Sequence, residues 1–156
     1  MSEIIYRPAI LEDLPTIKEY YTDLVRIYQT VGYKLQVPEN VEQLWLESFQ
    51  RTLGKYSQVF IAEQDGKILG FGLGRLRRLA PYQGGSLVGD YADLYIIKEA
   101  RRLGLSKKLN ELMIQWFKDN GATSVEGQVL YKNDPSRQML EAIGFKIEII
   151  QMRLEL

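Results

Sequence analysis

The 156-residue chain contains no cysteine and no histidine. Without cysteine there is no disulfide framework, no thiol nucleophile and no zinc–thiolate site. Without histidine there is no Ser-His or Cys-His nucleophile pair, and the usual imidazole metal ligands are missing. Proton transfer is left to carboxylates, tyrosines, lysines, the backbone or water. Charge of one sign is not in excess either: Lys+Arg and Asp+Glu both number 20. No global basic field therefore points to nucleic acid as a partner. No apolar run approaches the roughly 20 residues that a membrane-spanning helix needs. "MSEIIYRPAI" lacks the charged and apolar regions of a secretory signal, which predicts a cytoplasmic protein with no membrane partner.

What the chain does have is an ordinary globular composition, 46% apolar and 26% charged. Its length suits one domain over residues 1–156 with a sizeable core. Residues 3–8 read as a short strand. Asp13 and Pro15 start a helix whose Leu14, Ile17, Tyr21, Leu24, Val25 and Tyr28 keep helical spacing, with Gly32 ending it. A second amphipathic helix is expected over 39–53. "SQVFIAEQDGKILGFGLGRLRR" has the form of a hairpin turning at Asp65-Gly66, and "LAPYQGG" of a loop. Residues 87–98 read as a long strand, 104–120 as a helix and 123–131 as another strand. A short helix follows in "DPSRQMLEAIG", and 145–156 as a last strand whose apolar parity changes between Ile149 and Ile150. The order β-α-α-β-β-β-α-β-α-β predicts an α/β (α+β) fold. Its sheet would be mixed and mostly antiparallel, flanked by helices, with a central parallel β-α-β crossover at 87–131.

The stretch "EARRLGLSKKL", residues 99–109, puts positive charge and unencumbered backbone where a strand becomes a helix. The first turn of a helix carries N–H groups without intrahelical acceptors, and the helix dipole adds partial positive charge. Gly104 removes a Cβ, Ser106 is small and can donate, and Arg101 and Arg102 add charge, so phosphate oxygens fit there. The same residues are also compatible with a plain turn and solvated arginines. The pattern is neither a P-loop nor the three-glycine dinucleotide fingerprint.

Arg101-x-x-Gly104-x-Ser106, following "DLYI", resembles the Q/R-x-x-G-x-G/A signature of the GNAT N-acetyltransferase superfamily. "YRPAILEDLP" resembles that family's opening strand and helix, and "VFIAEQDGKILGFG" its central hairpin. "NDPSRQMLEAIGF" is similar to its N-x-x-A-x-x-L-Y-x-x-x-G-F segment, with Asn133, Gly144 and Phe145 in register. The resemblance spans the whole chain. It implies a GNAT fold and acetyl-CoA as co-substrate, without a metal. The pyrophosphate would lie on the N–H groups of Arg101, Arg102, Leu103, Gly104, Leu105 and Ser106. The pantetheine arm would lie beside Leu94, Tyr95 and Ile96, between strands 87–98 and 123–131, with Asn133 and Arg137 also facing coenzyme A. Three positions depart from the family: Ser106 for the last small residue, Lys98 for a frequent proline, and Leu140 for a tyrosine associated with protonating the leaving thiolate.

The resemblance also implies a carboxylate base on the strand before the phosphate turn, often acting through water. Counting back eleven residues from Arg101 reaches Asp90, the first candidate; a residue capping the Gly89 turn is the competing reading. Asp93 is second, although strand alternation puts it on the opposite face from Asp90. Glu126 is third. For the acid, Tyr131 and Tyr95 lie near the expected pantetheine slot, and water can serve instead. Tyr20, Tyr21, Tyr28, Tyr33 and Trp45 fall where the family holds its acceptor, though at helical spacing such residues commonly form core. "GRLRR" at 74–78 reads either as a solvated strand end or as an attractor for an acidic acceptor or coenzyme A phosphates. Two functions are compatible with these residues. One is an N-acetyltransferase acting on a primary amine of a small molecule or peptide. The other is a GNAT-fold acyl-CoA-binding or regulatory module with little turnover. A homodimer is compatible with either.

Overall fold

The computed structural model describes residues 2–156. Five strands form one sheet in the order β1-β2-β3-β4-β5. They are β1 (Ile5–Pro8), β2 (Ser57–Gln64), β3 (Lys67–Arg78), β4 (Leu87–Ile96) and β5 (Ser124–Gly127). The first three junctions are antiparallel and β4–β5 is parallel. Four α-helices cover the sheet: α1 (Leu14–Thr30), α2 (Val41–Glu47), α3 (Leu105–Asp119) and α4 (Asp134–Ala142).

The β2–β3 hairpin turns where Asp65-Gly66 predicts, both residues having positive φ (52° and 77°), as a two-residue hairpin of matching twist requires. Arg7 on β1 bonds Asp13 Oδ2 at 2.8 Å and Glu63 Oε2 at 2.6 Å, tying the first two strands to the entry of α1. Helix α3 buries Leu105, Leu109, Met113 and Phe117, one residue per turn along a single stripe. It can lie close to the sheet because β3 and β4 present glycines to it. A Cβ at Gly74 would meet Phe117 at 2.7 Å, and one at Gly89 would meet it at 2.6 Å. On the opposite sheet face Ile17 and Leu24 of α1, Trp45 of α2 and Phe49 in the turn after α2 pack against Phe71 and Leu73. Trp45 lies 4.8 Å from Phe49 and 5.7 Å from Phe71, ring centre to ring centre.

Three expectations are corrected. The second helix stops at Glu47, and its apolar pattern continues only as a 3₁₀ turn at Gln50–Thr52, where the chain turns back toward β2. The strand expected over 123–131 pairs only through Gly127. Residues 145–156, expected as a last strand, are unpaired and mostly exposed. The mixed, mostly antiparallel sheet with its parallel β4–α3–β5 crossover is as expected, and among the described residues β5 is its last strand.

Candidate active site

The segment between β4 and α3 is held at both ends and open in the middle. Ala100 and Leu105 are buried, whereas Arg101, Arg102, Leu103 and Gly104 are exposed. The apolar anchors fix the path of the turn while its backbone faces outward. Arg102 and Gly104 both have positive φ, 69° and 79°, which brings the chain round sharply into the helix. A Cβ at Gly104 would meet nothing within 4 Å, so the glycine is required by its backbone conformation and leaves the space above it open. No side chain caps α3, and its first turn carries no acid. The free N–H groups thus lie at the positive end of the helix dipole in a segment that carries Arg101, Arg102, Lys107 and Lys108, of which Arg101 bonds Ile96 O at 3.1 Å and Lys108 approaches Glu111 at 3.8 Å. That arrangement opposes helix stability unless an anion sits there.

Beside this turn the sheet splits. The last parallel pair is Tyr91 with Gly127. Beyond it β4 continues through Ile96 with its β5 side unpaired, so the backbone groups of residues 92–96 on that side are open. Leu94, Tyr95 and Ile96 thus lie along an unpaired strand edge leading to the phosphate-sized cradle.

A β-bulge in β4 decides which side chains meet. Leu73 pairs with Asp93 and Gly74 with Tyr91, leaving Ala92 without a partner. Tyr91 points to α3, its hydroxyl 2.5 Å from Asn110 Oδ1. Asp93 points to α1 and α2, accepting hydrogen bonds from Tyr28 Oη and Trp45 Nε1, each at 2.9 Å. Asp90 pairs across the sheet with Arg75, which reaches Ser48 in the α2 layer, so it shares that face. The expectation that Asp90 and Asp93 lie on opposite faces is therefore corrected: the extra residue restores them to one side.

The two carboxylates nevertheless differ in character. Asp93 is 8% exposed and both its oxygens are taken. Burial pushes its pKa up, partly opposed by the Trp45 and Tyr28 hydrogen bonds. Asp90 is half-buried, and its environment acts on it only through burial and unbonded charges. Burial pushes its pKa up, Arg75 and Arg77 pull it down, and Glu126 adds to the rise. It is thus a strengthened base with free lone pairs. Glu126, directly across from Asp90 on β5, is ion-paired with Arg77. Above this face Tyr21 stacks on Trp45 at 4.2 Å, with its pKa pushed up to about 12 by burial and then by Asp93.

The remaining candidates have other partners. The Tyr95 hydroxyl donates to Asp23 Oδ2 at 3.2 Å, on the α1 side of the sheet. Tyr131 is 89% exposed in the loop after β5. Asn133 caps α4, accepting from Ser136 N at 3.4 Å. Arg137 pairs with Asp134 at 2.8 Å and approaches Glu141 at 4.0 Å within the same helix. Leu140 is buried in the core cluster. Sequence reasoning missed the Tyr28–Asp93–Trp45 junction and the Arg75–Ser48 contact. Helical spacing marks Tyr28 and Trp45 as inward-facing, but nothing in it names their polar partner.

A family model described as the acetyltransferase (GNAT) family matches residues 17–145. The chain belongs to this family. No curated protein sequence matches it. Among solved structures, a putative acetyl transferase from Pyrococcus furiosus is 21% identical with a TM-score of 0.77, the match covering 99% of this chain and 100% of that one. The aminoglycoside N-acetyltransferase AAC(6')-Iy, in complex with a bisubstrate analogue of coenzyme A and acetylneamine, is 18% identical with a TM-score of 0.75, covering 99% and 100%. An aminoglycoside acetyltransferase from an uncultured soil metagenomic sample, in complex with sisomicin, is 18% identical with a TM-score of 0.68, covering 98% and 96%. At these identities the likeness is one of fold.

Proposed function

We propose that this chain is an acetyl-CoA-dependent N-acetyltransferase acting on a primary amine of a small molecule or peptide. The observation that carries the reading is the α3 entry. A run of uncapped N–H groups in a cation-rich segment follows a left-handed glycine with open space over its Cα, next to an unpaired stretch of β4. The residues of 101–106 would hold the pyrophosphate, and the open edge of Leu94, Tyr95 and Ile96 would accept the pantetheine amides as a further strand would. When bound, acetyl-CoA supplies an activated thioester carbonyl and a thiol leaving group.

An ammonium group must lose a proton before its nitrogen can attack. Asp90 is suited to take it, directly or through one water, because its carboxylate is partly desolvated and free of hydrogen bonds. Asp93 acts as a positioning residue, holding α1 and α2 to β4 so that the acceptor face keeps its shape. Arg77 neutralises Glu126 and leaves Asp90 as the carboxylate open to the amine. No phenol of this chain is needed as the acid; water can protonate the departing thiolate.

Thiol release from acetyl-CoA, followed across aminoglycosides, polyamines, amino acids and peptide N-termini, tests the reading, with mass spectrometry of the product. An acceptor whose mass rises by one acetyl group supports it. Tight coenzyme A binding with no turnover on any amine would favour the acyl-CoA-binding module instead, a reading prompted by the buried Leu140 at the family's tyrosine position.

A further inference from the structure

Two of the three arginines in "GRLRR" are committed to partners. Arg77 is ion-paired with Glu126, and Arg78 donates to Gly85 O at 2.8 Å. Arg75 is not so engaged. Of the five N–H donors of a guanidinium, it uses one, from Nη2 to Ser48 Oγ at 3.2 Å. Its Nε is buried without a hydrogen bond. Among the described residues no carboxylate forms an ion pair with it. The other half-buried arginines, Arg7 and Arg137, are both ion-paired. Taking a guanidinium partly out of water without a counter-charge is costly, so Arg75 points to an anion from outside the chain.

The geometry puts this cation on the acceptor face. A Cβ at Gly74 or Gly89 would run into Phe117 of α3, so the adjoining Arg75 and Asp90 point the other way, toward α1 and α2. They are direct partners across the sheet, and Cβ atoms in such a pair lie about 4.5–5.5 Å apart. Ser48 Oγ donates to Trp45 O at 2.6 Å and accepts from Arg75, which holds the guanidinium beside the end of α2. Burial raises the pKa values of Asp90, Asp93 and Tyr21, and Arg75 opposes the rise at all three. The pyrophosphate turn is too distant to be its target. Ile96, at the near end of that turn, is six residues beyond Asp90, about 20 Å along a strand.

We infer that Arg75 receives a carboxylate of the acceptor, and that the acceptor is a free amino acid whose α-amine faces Asp90. Guanidinium and carboxylate meet as two-pronged partners. Opposite charges on directly paired residues suit an amine and a carboxylate carried on one carbon. Polyamines, aminoglycosides and peptide N-termini lack that adjacent carboxylate. This inference rests on the acetyl-transfer reading and names its acceptor.

The test compares each common amino acid with its carboxamide, which keeps the amine and loses the negative charge. Thiol release from acetyl-CoA gives kcat/KM for both in wild type, Arg75→Gln and Arg75→Lys, and a urea midpoint checks that each variant is folded. The ratio of acid to carboxamide is compared between proteins, so the different basicities of the two amines cancel. Arg75→Gln should lower that ratio about 10–100-fold, mainly through KM for the acid. Arg75→Lys should recover part of it, because the charge returns without the planar fork. Calorimetric titration of the amino acids into coenzyme A-saturated protein reads the seat without turnover. Binding that Arg75→Gln abolishes, with no acetylated product, would support the carboxylate seat and count against the transfer reading alone. Turnover confined to amines without a carboxylate would overturn the inference and leave the transfer reading standing. An unchanged ratio in Arg75→Gln, or an equal loss on acid and carboxamide, would reduce Arg75 to a packing role and overturn it. So would a wild type that neither binds nor acetylates any amino acid.

Discussion

Replacing Asp93 with alanine should weaken the fold far more than it weakens coenzyme A binding. The side chain accepts one bond from Tyr28 and one from Trp45, on two different helices. Its removal strands two buried donors, each costing about 1–3 kcal/mol. The gain from no longer burying a carboxylate offsets part of this, leaving a net loss of about 2–4 kcal/mol. With a urea slope of about 2 kcal/mol per molar, the unfolding midpoint should fall by about 1–2 M. Circular dichroism in a urea titration reads this directly. The pH dependence carries a second signature. Because the folded pKa is raised, the favourable contribution is full below the unfolded value of about 4 and is lost as pH rises through the folded value. The midpoint of wild type relative to Asp93→Asn, whose side chain cannot titrate, should therefore decline from acid toward neutral pH. An Asp93→Ala midpoint equal to wild type, or a pH-independent difference from Asp93→Asn, would refute the assignment of Asp93 as the junction holding both helices.

Asp90→Asn should lower kcat by about 10²–10⁴-fold with little change in acetyl-CoA affinity. Since burial raises the Asp90 pKa, wild-type turnover should gain an acid limb above the ordinary carboxylate range, and the variant should lose it; a pH–rate scan checks both. Leu140→Ala should cost about 2–5 kcal/mol of stability through the cavity it leaves while keeping the shape of the pH–rate profile, as chemical denaturation and kinetics would show. Tyr131→Phe, at a side chain open to solvent, should leave both turnover and its alkaline limb unchanged.

The parts of this molecule legible in its sequence are those set by local pattern. The Asp65-Gly66 turn, the stripe Leu105–Leu109–Met113–Phe117 and the glycine before α3 each follow from spacing or from a backbone conformation few residues adopt. The rest depends on pairing between distant segments. Alternation along β4 assigns Asp90 and Asp93 to opposite faces, and only the register against β3 reveals that Ala92 is an extra residue. The "GRLRR" cluster reads as a solvated strand end, yet Arg77 finds Glu126 on β5 and Arg75 finds Ser48 beside α2. Residues 145–156 have the composition of a strand, but composition alone does not make a strand, and here they pair with no edge of the sheet. Likewise, Tyr28 and Trp45 are recognisable as inward-facing while their shared acceptor, 65 and 48 residues further on, is not.

The central claim is that acetyl-CoA is seated by the N–H groups entering α3, above Gly104. Gly104→Asn is the sharpest probe, because asparagine tolerates the left-handed φ of 79° while filling the open space over the turn. Calorimetric titration of acetyl-CoA into wild type and variant, at two salt concentrations, measures the seat itself. The account predicts one site per chain, weaker binding at higher salt, and about a 10–100-fold loss in the variant, equivalent to about 1.4–2.7 kcal/mol, with the unfolding midpoint nearly kept. Equal affinity in wild type and variant, or no binding by wild type, would contradict it.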